Sequence, residues 1–209
     1  MGPWVRRSEG PSVRRPRPWS GPSDQPHDPQ TDGPTNLWTY LMDSESPQEY
    51  TARLLSYSAG LDPWGVLTST AERLRGLIEG RTREELSRAP GPSRWSVGEI
   101  IAHLADAEIV AAWRFRSILA HDAIPLQPFD QNVWADAFRY REVAPVDSLR
   151  LFDANRTANL ALVRRVDPAR HSHYGMHAER GRESIEHMLH LYAGHDLNHL
   201  SQVERLVSS

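Results

Sequence analysis

From residue 46 onward the apolar residues recur every three or four positions, and no stretch alternates as a half-buried strand would. That period restricts the chain to packed helices. The most telling stripe lies at the C-terminal end: Ile185, Met188, Tyr192, His195, His199, Val203 and Leu206 share one helical face. The face begins apolar, becomes His-x-x-x-His and turns apolar again. A short helix is predicted over 47–58, opened by Pro47, and a second from Asp62-Pro63 to about Ile78, with Gly80 as its stop. Ser96 and Glu99 form a capping box for a helix over 97–120, about 36 Å long. Its stripe is Val97, Ile101, Leu104, Phe115 and Leu119, with Trp95 as a staple residue ahead of the cap. A third long helix spans about 146–166, carrying Leu149, Leu151, Phe152, Leu160, Leu162 and Val163, and the last covers about 183–207.

The connection over 121–144 is too long for a helical hairpin, where about 2–8 residues suffice. It can carry the chain back along the bundle, so the helices on either side should run parallel. A polar loop rich in His and Arg is expected over 168–182. The fold class is therefore all-α: a four-helix bundle with a long crossover between helices two and three, plus a short N-terminal helix.

Residues 1–36 hold 8 of the 16 prolines and show no apolar period. A segment of that kind cannot offset its ordering entropy. We therefore divide the chain into a disordered Pro/Arg-rich extension, 1–41, and a bundle domain, 42–209, with Met42 as an alternative start. The Arg pairs Arg6-Arg7 and Arg14-Arg15 are followed by prolines and not by the apolar stretch of an export signal. With no apolar run long enough to span a membrane, a cytoplasmic protein is expected. The formal net charge of −3 argues against a nucleic-acid binder.

Cysteine is absent, which excludes disulfides, thiolate metal sites and any thiol nucleophile of the chain's own. All 24 basic residues are arginine, so lysine Schiff-base and P-loop chemistry are excluded as well. Ten histidines is a high count for 209 residues, so their placement matters. His195 and His199, one turn apart, can chelate one divalent ion. His103, at the edge of the apolar face of the capped helix, can supply a third imidazole if the two helices pack together. Three imidazoles leave a position open for water or substrate and suit zinc, nickel, iron or copper. His190 points away from His199, His187 is displaced, and His171, His173 and His177 fall in the expected polar loop. Asp106, Glu108 and Asp196 are nearby carboxylates in sequence. Arg114 is a candidate for binding an anionic substrate, against a surface ion pair as its ordinary role.

The segment Arg94-Trp95-Ser96-Val97-Gly98-Glu99-Ile100-Ile101-Ala102-His103-Leu104-Ala105-Asp106-Ala107-Glu108 resembles the first signature of the DinB/YfiT-like superfamily, and Leu189 to Leu200 resembles its second. The stretch Pro125 to Trp134 is similar to the aromatic and acidic segment that follows helix two in the YfiT-like branch. The resemblance covers about residues 47–207. It implies a four-helix bundle with a long crossover, a divalent metal on His103, His195 and His199, and frequent homodimers. It further implies two activities: transfer of a low-molecular-weight thiol, such as bacillithiol or mycothiol, to small electrophiles in detoxification or stress, or metal-dependent hydrolysis at the same site. A stress or interaction protein with a structural metal is the third expectation.

Overall fold

The computed structural model describes residues 45–208; the expected extension over 1–41 and Met42 lie outside them. The chain forms α1 (Pro47–Ser58), α2 (Pro63–Ile78), α3 (Arg83–Leu86), α4 (Val97–Ala120), β1 (Ile124–Leu126), α5 (Gln131–Ala137), α6 (Pro145–Arg165), β2 (Tyr174–His177), β3 (Gly181–Ser184) and α7 (Ile185–Val207), with 3-10 turns at Tyr140–Glu142 and Pro168–Ser172. The long elements α2, α4, α6 and α7 are the expected four helices, and α1 is the expected short one.

Local chemistry sets the helix starts. Ser46, Thr82 and Ser96 each complete a capping box with the glutamate three residues on, while Asp62 accepts from the Trp64 and Gly65 N–H groups. At α4 the box is buried. The Glu99 carboxylate accepts from the Ser96 N–H at 2.8 Å and from Arg141 Nε at 2.9 Å.

Cross-helix contacts define the topology. Gly98 meets Pro145, Glu108 meets Arg156, and Arg116 reaches Asn159, so α4 and α6 run parallel as expected from the long crossover. Thr70 pairs with Asp196 and Arg81 with the Val207 carbonyl, so α2 and α7 are also parallel. Two apolar clusters fill the interior, one around Phe115, Ile118, Val163 and Met188, the other around Leu74, Ile101, Phe152 and Val203.

Two segments differ from expectation. The 168–182 loop is a 3-10 turn followed by the hairpin β2–β3, which continues into α7. In addition, β1 in the crossover pairs parallel to β2, Leu126 opposite His177, giving a sheet of order β1-β2-β3. The strands are three and four residues long, and the inward positions of β2 are Gly175 and His177. Strands this short, with no apolar alternation, leave no period to read. The crossover also contains α5, capped by Asp130. On α6 the expected stripe is corrected at Leu151, which is exposed.

Helices α1 and α7 pack antiparallel at unusually close range. Ser58 Oγ donates to the His190 carbonyl at 2.9 Å, and a Cβ at Gly194 would overlap the carbonyl of Leu54. Alanine is favoured over glycine inside a helix by about 1 kcal/mol, but here the obstacle is backbone and cannot rotate away. Gly194→Ala should therefore destabilise the fold by about 2 kcal/mol, within the usual cost of overpacking. Urea unfolding followed by circular dichroism measures this; a variant as stable as wild type would contradict the close approach.

Candidate metal centre

His103, His195 and His199 meet in the interior between α4 and α7. His195 Nε2 lies 3.0 Å from His103 Nε2 and 3.2 Å from His199 Nε2, and the three candidate donor atoms all lie within 4.8 Å of one another. All three residues are buried. Burial drives each imidazole toward its neutral form, and the neighbouring rings reinforce this at His103 and His195; His199 is lowered to about 4. The His199 Nδ1 is 2.9 Å from Gln202 Oε1, so it carries the proton and Nε2 keeps its lone pair. Trp95 stacks on His103 with ring centroids 4.9 Å apart. Tetrahedral ligation at ordinary zinc–nitrogen lengths separates donor nitrogens by about 3.4 Å, so the observed spacing suits one divalent ion. The Nδ1 atoms of His103 and His195 have no partner among the described residues.

Beside this cluster lies a buried ionic network. Arg156 donates to Asp196 at 2.6 and 3.0 Å, to Glu108 at 2.9 Å and to the Leu67 carbonyl at 3.0 Å. Thr70 donates to Asp196 at 2.7 Å, and Asn159 Nδ2 donates to Glu108 at 3.0 Å. Burial opposes the Arg156 charge, but Asp196 and Glu108 more than offset it and hold the guanidinium above its ordinary pKa. Removing the cation would leave two buried carboxylates without a counter-charge. Arg156→Met should thus cost about 3–5 kcal/mol in denaturant unfolding; a loss below 1 kcal/mol would show that the network is not a structural requirement.

A cavity of about 520 Å³ reaches two of the three imidazoles. His103 and His195 line it, and Leu54, Phe129, Leu191 and Tyr192 supply apolar wall. Arg114 and Arg180 line the same space. Arg114 is buried, donates to the Gln127 carbonyl at 2.8 Å and contacts His177 Nε2 at 3.3 Å; it does not form the surface ion pair that was its ordinary alternative.

His177 is not in a solvated loop but buried on β2. Desolvation first, then Arg180 and Arg114, lower it to about 4 against the opposing pull of Glu183. The native state therefore refuses a proton that the unfolded chain accepts near 6.5. The stability this position secures is complete above that value and is lost as the pH falls from 6.5 toward 4. His177→Gln should show a smaller drop in Tm between pH 7 and pH 5 than wild type, measured by calorimetry; equal drops would exclude His177 as a contributor.

The remaining residues singled out in the sequence have other roles. Asp106 accepts from the Tyr140 hydroxyl at 2.6 Å, while Asp196 and Glu108 serve Arg156. His171 and His173 contact the carbonyls of Val163 and Ile118. His187 and His190 stay outside the cluster. Arg156 and Arg180 were missed, and His177 was assigned to a polar loop. Arg156 had a readable signal, since it sits four residues from both Phe152 and Leu160, in the middle of an apolar stripe. His177 and Arg180 depend on the hairpin and had none.

The fold and this histidine constellation define a known class. The profile of the DinB superfamily matches residues 67–203, and the chain belongs to that superfamily. It is 27% identical over 134 residues to a protein of Oceanobacillus iheyensis named "putative metal-dependent hydrolase", covering 64% of this chain and 77% of that one. It is 24% identical over 147 residues to Bacillus subtilis YfiT, which carries the same description, covering 69% of this chain and 83% of YfiT. The solved structure of YfiT, described as a probable metal-dependent hydrolase with an unusual four-helix bundle topology, superposes with a TM-score of 0.63 at 21% identity, over 78% of this chain and 89% of YfiT. That likeness establishes the shared fold. Among the described residues no helix is long and apolar enough to cross a membrane.

Proposed function

We propose that this chain is a divalent-metal enzyme acting on small molecules, with His103, His195 and His199 as ligands and the adjoining cavity as the substrate site. The observation that carries this reading is the convergence of three buried imidazoles, two of which, His103 and His195, line a cavity. A divalent ion held there would supply a nucleophile near neutral pH by lowering the pKa of water or of a thiol. The protein keeps the imidazoles unprotonated, sets the His199 ring through Gln202, and limits water with Phe129, Leu191 and Tyr192.

The first reading of the reaction is transfer of a low-molecular-weight thiol to a small electrophile. With no cysteine in the chain, the thiol of this reading comes from outside. One observation supports it. Three carboxylates close to the ligands in sequence are already committed, Asp196 and Glu108 to Arg156 and Asp106 to Tyr140, so none of these three is free to act as base toward water. Hydrolysis at the same site is the second reading, favoured by the names of the relatives.

Elemental analysis of untagged protein purified without chelator should find about one divalent ion per chain, the stoichiometry of a three-imidazole site. His103→Ala and His195→Ala should lose it while keeping the helical circular dichroism spectrum. Metal-free wild type after reconstitution with zinc, nickel and iron(II) would overturn the proposal. With the metal-loaded protein, consumption of 1-chloro-2,4-dinitrobenzene only alongside an equivalent of thiol identifies a transferase. Turnover of activated esters without thiol identifies a hydrolase. Neither activity, with a large fall in Tm on chelation, would reduce the metal to a structural role and overturn the enzymatic reading.

A further inference from the structure

Arg114 is a buried cation that forms no ion pair among the described residues. The residue is 4% exposed, and its Nε is buried with no partner. Among the described residues no carboxylate lies within ion-pair distance of it. His177 does not make good the deficit. Its two ring nitrogens face Arg114 Nη2 and the Glu179 N–H, both at 3.3 Å, and both contacts need a lone pair, of which a neutral imidazole has one. The contrast with Arg156 is direct: equal burial, but two carboxylates on the guanidinium. A guanidinium withdrawn from water without a counter-ion is costly to maintain. Arg180 adds a second donor, its Nη2 buried and unpartnered while its Nε pairs with Glu183 at 2.7 Å.

Both arginines line the cavity that His103 and His195 also line. Along α4, His103, Ala107 and Arg114 follow at i, i+4 and i+11, which is a single face. Ala107 takes up little of the space between the two ends. The backbone rise from His103 to Arg114 is about 16 Å, and a helical side chain leans toward the N-terminus, which narrows the gap. The interval suits a small molecule. The apolar walls of Phe129, Leu191 and Tyr192 favour one with an apolar body. Glu45, Asp130 and Glu179 also line the cavity and disfavour a dianion more than a single carboxylate.

We propose that Arg114, assisted by Arg180, is an anion-recognition subsite, and that the cavity takes a small organic carboxylate with an apolar body, its carboxylate on the guanidinium and its other end toward the three imidazoles. The orientation toward the imidazoles rests on the metal-dependent reading; the subsite does not.

The test is isothermal titration calorimetry on the full chain, as purified and after chelation, with phenylacetate and its neutral isostere phenylacetamide. Phenylacetate should bind saturably in both preparations. Phenylacetamide should bind more weakly by about tenfold or more, the worth of a charge-assisted hydrogen bond. Arg114→Gln should weaken phenylacetate to a similar degree without changing metal content, and Arg114→Lys, keeping the charge but not the fork, should fall between. Equal affinity for acid and amide, unchanged binding in folded Arg114→Gln, or no saturable binding of phenylacetate would overturn the subsite. If Arg114→Gln does not fold, the acid–amide comparison on wild type decides. Acid-selective binding by a protein that takes up no metal would support the subsite and overturn the metal-dependent reading. Bound metal with no acid–amide difference would overturn the subsite alone.

Discussion

The ionic node at Arg156 ties together every long helix of the bundle. The arginine and Asn159 stand on α6, Glu108 on α4, Asp196 on α7, and Thr70 and the Leu67 carbonyl on α2. Each partner must face inward, because a buried charge without its counter-charge is far more costly than a missed apolar contact. That requirement sets the rotation of α4 and α7 about their axes. Asp196 adjoins His195 in sequence, so the rotation that delivers its carboxylate to Arg156 also determines where His195 and His199 point. Glu108 does the same for His103 one and a half turns earlier on α4. The polar node and the imidazole cluster are thus two readings of one set of helix orientations.

Much of this was legible because it is written locally. The α4 boundaries follow from Ser96 and Glu99, residues that satisfy each other's backbone within one turn. The pairing of His195 with His199 follows from helical spacing alone. His103 joined them through its place at the edge of an apolar face and through the superfamily signature around it. The parallel course of α4 and α6 followed from the length of the crossover.

What was not legible depends on partners distant in sequence. Arg156 interrupts an apolar stripe in plain view, but nothing in the sequence pairs it with Glu108 and Asp196. Leu151 counted toward the stripe on composition, while packing placed Arg156 and Asn159 inside instead. The small sheet escaped notice because Gly175 and His177 provide its inward face and Pro125 lies in its edge strand. Arg114 stood out as a candidate for an anionic substrate, but its burial depends on the β2–β3 hairpin and the crossover, which close over it.

That sheet has a mechanical consequence. The crossover contributes Phe129 and Asp130 to the cavity, and the hairpin contributes Glu179 and Arg180. Because β1 and β2 share a hydrogen-bonded ladder, these two sections of wall are joined as one piece. A displacement of either is transmitted to the other, and the hairpin in turn runs without a break into the helix bearing His195 and His199. The same short ladder thus connects the wall of the cavity to the start of the helix that carries two of the three imidazoles.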